Sequence, residues 1–288
     1  MKAPAFDYIK PNTCEEVFAL LTHYGDEARL LAGGQTLLAT LNMRLSEPEL
    51  LIDISGIEEL KGIALDGDKL RINALARHCD IERSPLVAAH APLLALAAPH
   101  IAHPAIRNRG TFGGSIAYAD PAAEWPACTL ALDATIVVRG MDGERRIAAA
   151  DFFIDLFTTA LAEGEMVVAC EIPVMKPGCV YAFDELARRH GDYAIAGVAV
   201  AARRKGSQLR ETRLVFLGIG GTPVRACRTE QFLDGKAPTM AVIDEASAVL
   251  RAELEGGLAP HADLTNSPAM KRHLATVLMR RAVASLAA

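Results

Sequence analysis

The hydrophobic pattern of the first sixty residues alternates between short strand-like runs and helical periods. Residues 6–9 alternate as a short strand, and the apolar runs 30–32 and 50–54 are typical of buried strands. Thr13, followed by Glu16 three residues later, has the form of a helix N-terminus with a capping box. A second helix is predicted between the two apolar runs, so the β-α-β-α-β order indicates a small α/β subdomain.

A second group of elements follows, up to residue 173. Two strands are predicted around a turn at residues 66–68, and an Ala- and Leu-rich helical stretch is interrupted by Pro92. Further along, the pattern predicts a helix over 121–132 and strands over 135–139 and 166–172. These elements indicate a second α/β subdomain.

The stretch from Pro173 to Gly178 is the best candidate for a linker, because prolines and a glycine punctuate it. Three β-like runs and then two helical stretches follow, which predicts an α+β domain with a three-stranded sheet. The predicted domains are residues 1–175, divided into subdomains of about 1–57 and 58–175, and residues 176–288.

Composition narrows the class of protein. Of the 288 residues, 51% are hydrophobic and 23% are charged, which is enough apolar material for a sizeable core. The net charge of −5 gives no reason to expect a nucleic acid or an anionic membrane as partner. No apolar run is long enough to span a membrane and no signal-peptide pattern is present, so we expect a cytoplasmic protein.

The cysteines argue against a metal centre on this chain. There are six, none in a Cys-x-x-Cys pair and none clustered closely enough for zinc or an iron–sulfur cluster. In a cytoplasmic protein, buried and reduced thiols are the expected state. His100 and His103 stand three residues apart, but no further histidine or cysteine lies near them in sequence, so we predict no metal site.

Candidate chemistry is concentrated in a stretch near the middle of the chain. Gly113 and Gly114 form a pair, Thr111 and Ser115 flank it with hydroxyl groups, and Asp120 follows. Glycine lets the backbone approach a ligand closely, and successive amides in such a turn form a concave anion site. An aspartate carboxylate can accept hydrogen bonds from ligand hydroxyls. This combination suits a phosphate next to a polyol.

A second loop of the same kind contains Gly33 and Gly34. An apolar run leads into this pair and a helix-like segment follows, a junction that points amides and a helix N-terminus at an anion. Neither loop fits the Rossmann pattern Gly-x-Gly-x-x-Gly or the P-loop pattern. Two such loops in one chain predict a diphosphate held from both sides.

The two loops also carry a resemblance to a known family. Residues 32–38 (Ala-Gly-Gly-Gln-Thr-Leu-Leu) and 107–115 (Arg-Asn-Arg-Gly-Thr-Phe-Gly-Gly-Ser) resemble the FAD loops of molybdenum hydroxylase flavoprotein subunits, which include the medium subunits of carbon monoxide dehydrogenase and xanthine dehydrogenase types. Residues 119–121 resemble the Ala-Asp-Pro segment of this family, and residues 188–194 its Arg-x-Gly-Asp-Phe/Tyr-Ala segment. The resemblance extends over nearly the whole chain.

The family resemblance implies a fold, a cofactor and partners. The fold is a vanillyl-alcohol-oxidase-like (PCMH-type) FAD-binding domain of two α/β subdomains, followed by a three-stranded sheet with helices. A large partner subunit holds molybdopterin and oxidises the substrate, a small one carries [2Fe-2S] clusters, and the complex is a dimer of heterotrimers. This chain is then an FAD-dependent dehydrogenase component that takes electrons from the clusters and passes them to an external acceptor. Because the flavin carries the chemistry, no catalytic residue is named.

The loops and the resemblance together give a set of cofactor-binding residues. The predicted FAD contacts are Ala32, Gly33, Gly34, Gln35, Thr36, Leu37, Ile101, Thr111, Gly113, Gly114, Ser115, Asp120, Leu161 and Tyr193. The first-loop members hold the pyrophosphate with their backbone, the second-loop members take its other side, and Asp120 bonds the ribityl hydroxyls. Ile101 and Leu161 line the isoalloxazine or adenine, or pack in the core. Tyr193 lies over or beside the flavin, or packs at the domain interface.

One residue departs from the family pattern, and two other functions stay open. Glu185 stands where relatives often have a lysine, so negative charge takes the place of positive charge near the flavin. The first alternative function is a stand-alone flavin reductase or oxidase of the same fold, although the second domain offers no evident set of catalytic acids. The second is a scaffold that has lost its flavin, against which the intact glycine pairs argue.

Overall fold

The computed structural model describes residues 2–287, and within them three main β-sheets follow one another along the chain. The strands are β1 (Asp7–Ile9), β2 (Ala28–Leu31), β3 (Leu50–Asp53), β4 (Ile63–Asp66), β5 (Lys69–Asn73), β6 (Thr135–Gly140), β7 (Gly143–Ala148), β8 (Phe153–Asp155), β9 (Thr158–Thr159), β10 (Met166–Pro173), β11 (Cys179–Ala187), β12 (Ala194–Lys205), β13 (Gln208–Leu217) and β14 (Val224–Arg225). Strands β8 and β9 form a separate small hairpin.

The first sheet is parallel, with strand order β1-β3-β2, and helices α1 (Cys14–Tyr24) and α2 (Leu37–Asn42) make its crossovers. The Thr13 hydroxyl caps α1 by accepting a hydrogen bond from the Glu16 amide at 3.2 Å. The Glu16 carboxylate accepts from the amide of Asn12 at 2.7 Å, one residue before the usual position of a capping box. The predicted start of this helix and the β-α-β-α-β order are confirmed.

The second sheet is antiparallel, with strand order β4-β5-β10-β6-β7. Its central strand β10 is buried on both faces, which explains its unbroken apolar sequence. Val167 and Cys170 pack into the core beneath the helices, whereas Met166 and Val168 pack against the first sheet. A bulge between Val167 and Ala169 shifts the register and allows this division.

The third sheet is antiparallel, with strand order β11-β12-β13-β14. The three predicted strands are present, and the two-residue β14 adds a fourth at the edge, too short to leave a periodic pattern in the sequence. One face packs on the two C-terminal helices, and the other joins the core that contains Trp125 and Leu94. The third sheet and the region before it therefore share one continuous core.

The remaining helices are mostly short up to residue 152 and longer towards the C-terminus. They are α3 (His78–Arg83), α4 (Pro85–His90), α5 (Pro92–Ala97), α6 (Pro104–Arg107), α7 (Phe112–Tyr118), α8 (Glu124–Ala131), α9 (Ala149–Phe152), α10 (Cys227–Leu233), α11 (Met240–Glu255) and α12 (Pro268–Ser285). The predicted break at Pro92 separates α4 from α5. Between residues 2 and 287, no helix has both the length and the hydropathy that crossing a membrane requires.

The helix predicted over 121–132 begins later than expected, at Glu124. The carboxylate of Asp120 accepts a hydrogen bond from the Ala122 amide at 2.9 Å, which forms a turn in front of the helix. Ala119 has a φ of 52°, in the left-handed region, and ends the preceding helix α7. Local side-chain bonding at Asp120 therefore competes with helix formation here.

Candidate functional site

The two predicted glycine loops lie against each other. A Cβ atom added to Gly33 would lie 2.3 Å from the carbonyl oxygen of Arg109 and 2.8 Å from the Cα of Gly110. The backbones thus touch where only glycine fits. Gly34 has a φ of 72°, a conformation that also favours glycine. The structure thus brings the two predicted loops together.

The first loop presents backbone donors that the chain itself does not use. Across residues 2–287, no acceptor is found for the amide N–H groups of Gly34, Gln35 and Thr36. The Gln35 side chain donates to the Gly33 carbonyl at 3.0 Å and so holds the turn in shape. Unpaired amides in succession are the donors that a phosphate group requires.

The amides of the second loop are bonded within the protein. Gly113 donates to the Ala74 carbonyl and Phe112 to the Ala76 carbonyl, both at 2.8 Å. The Thr111 hydroxyl accepts from the Gly114 amide at 3.2 Å and caps helix α7. These bonds, with an isolated bridge between Arg77 and Thr111, fix the second loop to the turn that connects β5 with α3. The second loop is thus held in place next to the first loop.

A cleft of about 340 Å³ opens between the two loops and the end of strand β5. Of the predicted contacts, Ala32, Gly33 and Thr111 line it. The charged residues of its lining are Lys61, Arg77, Asp80 and Arg109, three cations and one carboxylate. The free amides of Gly34, Gln35 and Thr36 follow Gly33 of this lining directly in the chain. A cleft with net positive charge next to unused amides fits the diphosphate of a dinucleotide.

Sequence reasoning missed most of this charged lining. Lys61, Arg77 and Asp80 come from separate turns and short elements, and no motif marks them. Arg109 stands inside the recognised second loop, where its charge next to the glycines was the available signal.

A second group of predicted residues lies beyond the other end of helix α7. Burial raises the pKa of the Asp120 carboxyl, and the charge of Asp120 lies within electrostatic reach of Tyr193. The Tyr118 ring, whose pKa is also raised by burial and by Asp120, packs on Phe157 with 5.2 Å between ring centroids. Tyr193 itself is 65% exposed. Asp120 and Tyr193 thus form one polar group with Tyr118.

Two of the other predicted contacts, Ile101 and Leu161, lie in or against the core on which helix α7 packs. Ile101 is buried, and its carbonyl accepts from the guanidinium of Arg107 at 3.0 Å. Leu161 is half-buried against the same core. Ser115 lies on α7, and its amide donates to the Thr111 carbonyl at 3.1 Å. The predicted contacts from Thr111 to Asp120 thus follow α7 from its N-cap to the turn after its end.

A buried histidine that sequence reasoning did not single out supports the second loop. The Trp125 indole donates a hydrogen bond to Nδ1 of His78 at 3.0 Å, and both side chains are buried. A Cβ atom on Gly110 would lie 2.7 Å from Nε2 of His78. Burial, with a smaller contribution from the Arg107 charge, lowers the pKa of His78 to about 4.

This histidine makes folding stability depend on pH. Because the pKa of His78 is about 4 in the folded protein and 6.5 without burial, the unfolded state binds more protons between these values. The contribution of His78 to the free energy of unfolding is therefore fully present above pH 6.5. It falls by about 3 kcal/mol as the pH drops towards 4, because each pH unit between the two pKa values costs about 1.4 kcal/mol. Urea unfolding of the wild type and of His78→Gln at several pH values should show that the variant lacks this loss. Equal pH dependence in both proteins would contradict the assignment.

Most of the cysteine thiols lie in the protein core. Four cysteines are buried as predicted, whereas Cys179 is half-buried and Cys227 is exposed at the start of α10. Within the described part of the chain, no three His, Cys, Asp or Glu side chains are arranged to hold a metal ion.

Comparison with known proteins gives consistent matches for both parts of the chain. The family model "FAD binding domain in molybdopterin dehydrogenase" matches residues 4–175, and "CO dehydrogenase flavoprotein C-terminal domain" matches residues 181–286. The carbon monoxide dehydrogenase medium chain of Hydrogenophaga pseudoflava is 37% identical over 98% of this chain and 97% of that one. The 6-hydroxypseudooxynicotine dehydrogenase complex subunit alpha of Paenarthrobacter nicotinovorans is 41% identical over 81% of this chain and 79% of its own length.

A solved structure agrees with the sequence comparisons. A chain of carbon monoxide dehydrogenase from Hydrogenophaga pseudoflava, solved without the Mo-pyranopterin moiety, superimposes with a TM-score of 0.94 at 38% identity, over 99% of this chain and 98% of that one. These findings confirm the predicted family, the α+β fold class and FAD as the cofactor. The chain belongs to the FAD-binding medium subunits of the molybdopterin dehydrogenases, also called molybdenum hydroxylases, and is an oxidoreductase subunit.

Proposed function

We propose that this chain is the electron-transfer subunit of a heterotrimeric molybdenum hydroxylase, which takes electrons from [2Fe-2S] clusters and passes them to an external acceptor. The observation that carries the proposal is the cleft between the two glycine loops, inside the FAD-binding domain of this family. Three cations line this cleft, and the unused amides of the first loop follow directly after its Gly33. Relatives are named as a medium chain and as a complex subunit, which supports a role within an assembly.

The chain's own residues have distinct tasks in this proposal. The amides of Gly34, Gln35 and Thr36 hold the diphosphate, and Arg77 and Arg109 neutralise its charge. Asp120 accepts hydrogen bonds from the ribityl hydroxyls. When bound, the FAD supplies the redox chemistry, since it can accept and release electrons. The protein supplies binding, orientation and electrostatics.

The assembly around the chain is part of the same proposal. A large subunit with molybdopterin oxidises the substrate, a small subunit with [2Fe-2S] clusters connects it to the flavin, and the complex is a cytoplasmic dimer of heterotrimers. Within this chain, residues 1–175 form the FAD-binding domain, with subdomains of about 1–57 and 58–175. Residues 176–288 form the second domain. Ile101, Leu161 and Tyr193 lie near the ring systems of the cofactor.

Isolation of the tagged chain from its native cells tests the proposal. We expect it to bring down two further chains in equal amounts, a large one that contains molybdopterin and a small one that contains [2Fe-2S] clusters. Substoichiometric FAD or the absence of these partners would contradict the electron-transfer role. A chain that purifies alone with FAD and oxidises a reduced nicotinamide would favour the stand-alone reductase.

A further inference from the structure

The turn after β13 begins at Gly218, and this glycine contacts two segments of the proposed flavin site. Its amide donates a hydrogen bond to the carbonyl of Pro121, the residue after Asp120, at 2.7 Å. Gly218 has a φ of 77°, and a Cβ atom there would lie 2.9 Å from the carbonyl oxygens of both residues 194 and 195. These two residues directly follow Tyr193. Gly218 therefore lies against the segments that carry Asp120 and Tyr193.

The other end of the same turn approaches the hairpin of β8 and β9. A Cβ atom on Gly221 would lie 3.4 Å from Oδ1 of Asp155 and 3.6 Å from the amide nitrogen of Leu156. Phe157 is the next residue of this hairpin, and its ring packs on Tyr118. The turn thus also contacts the hairpin that supports the Tyr118 ring.

A buried lysine holds this turn from the side of the C-terminal helices. Lys271 lies in the first turn of α12 and is only 6% exposed. Its Nζ donates to the carbonyl of Gly218 at 2.8 Å and pairs with the carboxylate of Asp263 at 3.0 Å. The amide of His261 adds a second bond to the turn, at 2.8 Å to the carbonyl of Ile219. The segment that leads into α12 and the turn after β13 are therefore joined.

The carboxylate that pairs with Lys271 is itself held in place by its own turn. Oδ1 of Asp263 accepts hydrogen bonds from the amides of Thr265 and Asn266, both at 2.8 Å. The side-chain amide of Asn266 donates to Oδ2 at 3.0 Å. Because a buried ammonium group is unfavourable unless it is paired, the Asp263 carboxylate and the Gly218 carbonyl together fix where Lys271 lies.

We propose that Lys271 is a positioning residue of the cofactor site, which acts through Gly218 to hold the segments of Asp120 and Tyr193 in the arrangement that binds the flavin. Lys271 contacts the backbone of the turn, and the turn contacts these segments. A residue of the C-terminal helices thereby shapes a site in the FAD-binding part of the chain. The link to the flavin rests on the proposed function, because Asp120 and Tyr193 are cofactor contacts only within it.

Hydrogen exchange of the FAD-free chain, resolved to single residues, tests whether Lys271 holds the turn. In Lys271→Met the amides of Gly218 and Ala122 should exchange about tenfold faster or more, because opening the turn no longer breaks a bond from a charged donor. Arg280→Met is the matched control, because Arg280 lies on the same helix and pairs with Asp244 of α11. The control should leave both amides at the wild-type rate. Equal rates in the two variants would overturn the role of Lys271.

Binding of FAD to the same variants tests whether the turn positions the cofactor contacts. Lys271→Met should bind FAD about tenfold more weakly or less, since the lost bond came from a charged donor. The visible circular dichroism of its bound flavin should also differ from that of the wild type. Arg280→Met loses an ion pair as well and should match the wild type in both measurements, so a general loss of stability does not give this result. Faster exchange with unchanged affinity and dichroism would overturn the positioning of the cofactor contacts.

Asp263→Asn decides the matter if Lys271→Met does not fold. Without the ion pair, the Gly218 amide should exchange about two- to fivefold faster, and Asp244→Asn is the control. A rate in Asp263→Asn equal to that in the control would overturn the role of Lys271. A wild-type chain that does not bind FAD would count against the proposed function, whereas the exchange rates of the FAD-free protein still decide whether Lys271 holds the turn.

Discussion

Replacing Gly33 with alanine is expected to reduce the affinity for FAD by about 10- to 100-fold. The new Cβ atom would lie 2.3 Å from the Arg109 carbonyl oxygen, a backbone atom that no side-chain rotation can move aside. The two loops must separate, and overpacking of this kind costs about 1–3 kcal/mol, with about 1.4 kcal/mol for each tenfold change in affinity. Fluorescence titration of the FAD-free protein with FAD measures the effect.

Gly257→Ala is the matched control for this substitution. A Cβ atom at Gly257 meets nothing within 4 Å, so this variant should bind FAD as the wild type does. If Gly33→Ala also keeps the wild-type affinity, the contact between the loops is not what shapes the cofactor site.

Arg107→Met is expected to lower the free energy of unfolding by about 3–5 kcal/mol. The Arg107 guanidinium is buried, pairs with Glu82 at 2.9 Å, and donates to the carbonyls of Ile101 and Ala102 at 3.0 and 3.1 Å. Without Arg107, the carbonyls of Ile101 and Ala102 lose their donor and the partly buried Glu82 carboxylate loses its partner, which is strongly destabilising. Ala102 has a φ of 43°, so the same bonds hold a strained turn.

Urea unfolding of the FAD-free protein measures this loss. Arg83→Met is the control, because Arg83 is exposed next to Glu82 and exposed substitutions usually change stability by less than about 0.5 kcal/mol. Equal stability of Arg107→Met and Arg83→Met would show that Arg107 does not hold this turn. Arg107 shapes the loop, since its donors are directed at Glu82 and at backbone carbonyls.

The features that could be predicted from the sequence are those with a local signal. The cap of the first helix at Thr13 and the break at Pro92 depend on residues only a few positions apart. The paired glycine loops were recognisable because each is a short motif. Their direct contact at Gly33 was not visible in the sequence, since it joins residues more than seventy positions apart.

The features that the sequence did not reveal are assembled by the tertiary fold. His78 and Trp125 form one buried hydrogen bond across 47 positions, and neither belongs to a motif. Glu185 could be singled out from the sequence, because it departs from the family pattern. Its neighbours Glu124 and His100 could not be predicted, because only the packing of the third sheet on the helices brings them near Glu185. Hydrophobic periodicity indicates which segments form helices and strands, but it does not indicate which faces of these elements pack together.

The central claim is that this chain carries FAD in the cleft between its two glycine loops. The most direct test is the absorption spectrum of the purified chain, with chromatographic identification of the released cofactor and the same measurement on Gly33→Ala and Gly257→Ala. We expect a flavin spectrum and one FAD per chain for the wild type and Gly257→Ala, and a largely colourless Gly33→Ala. A colourless wild type that added FAD does not restore, or a Gly33→Ala variant with full FAD content, would contradict this account.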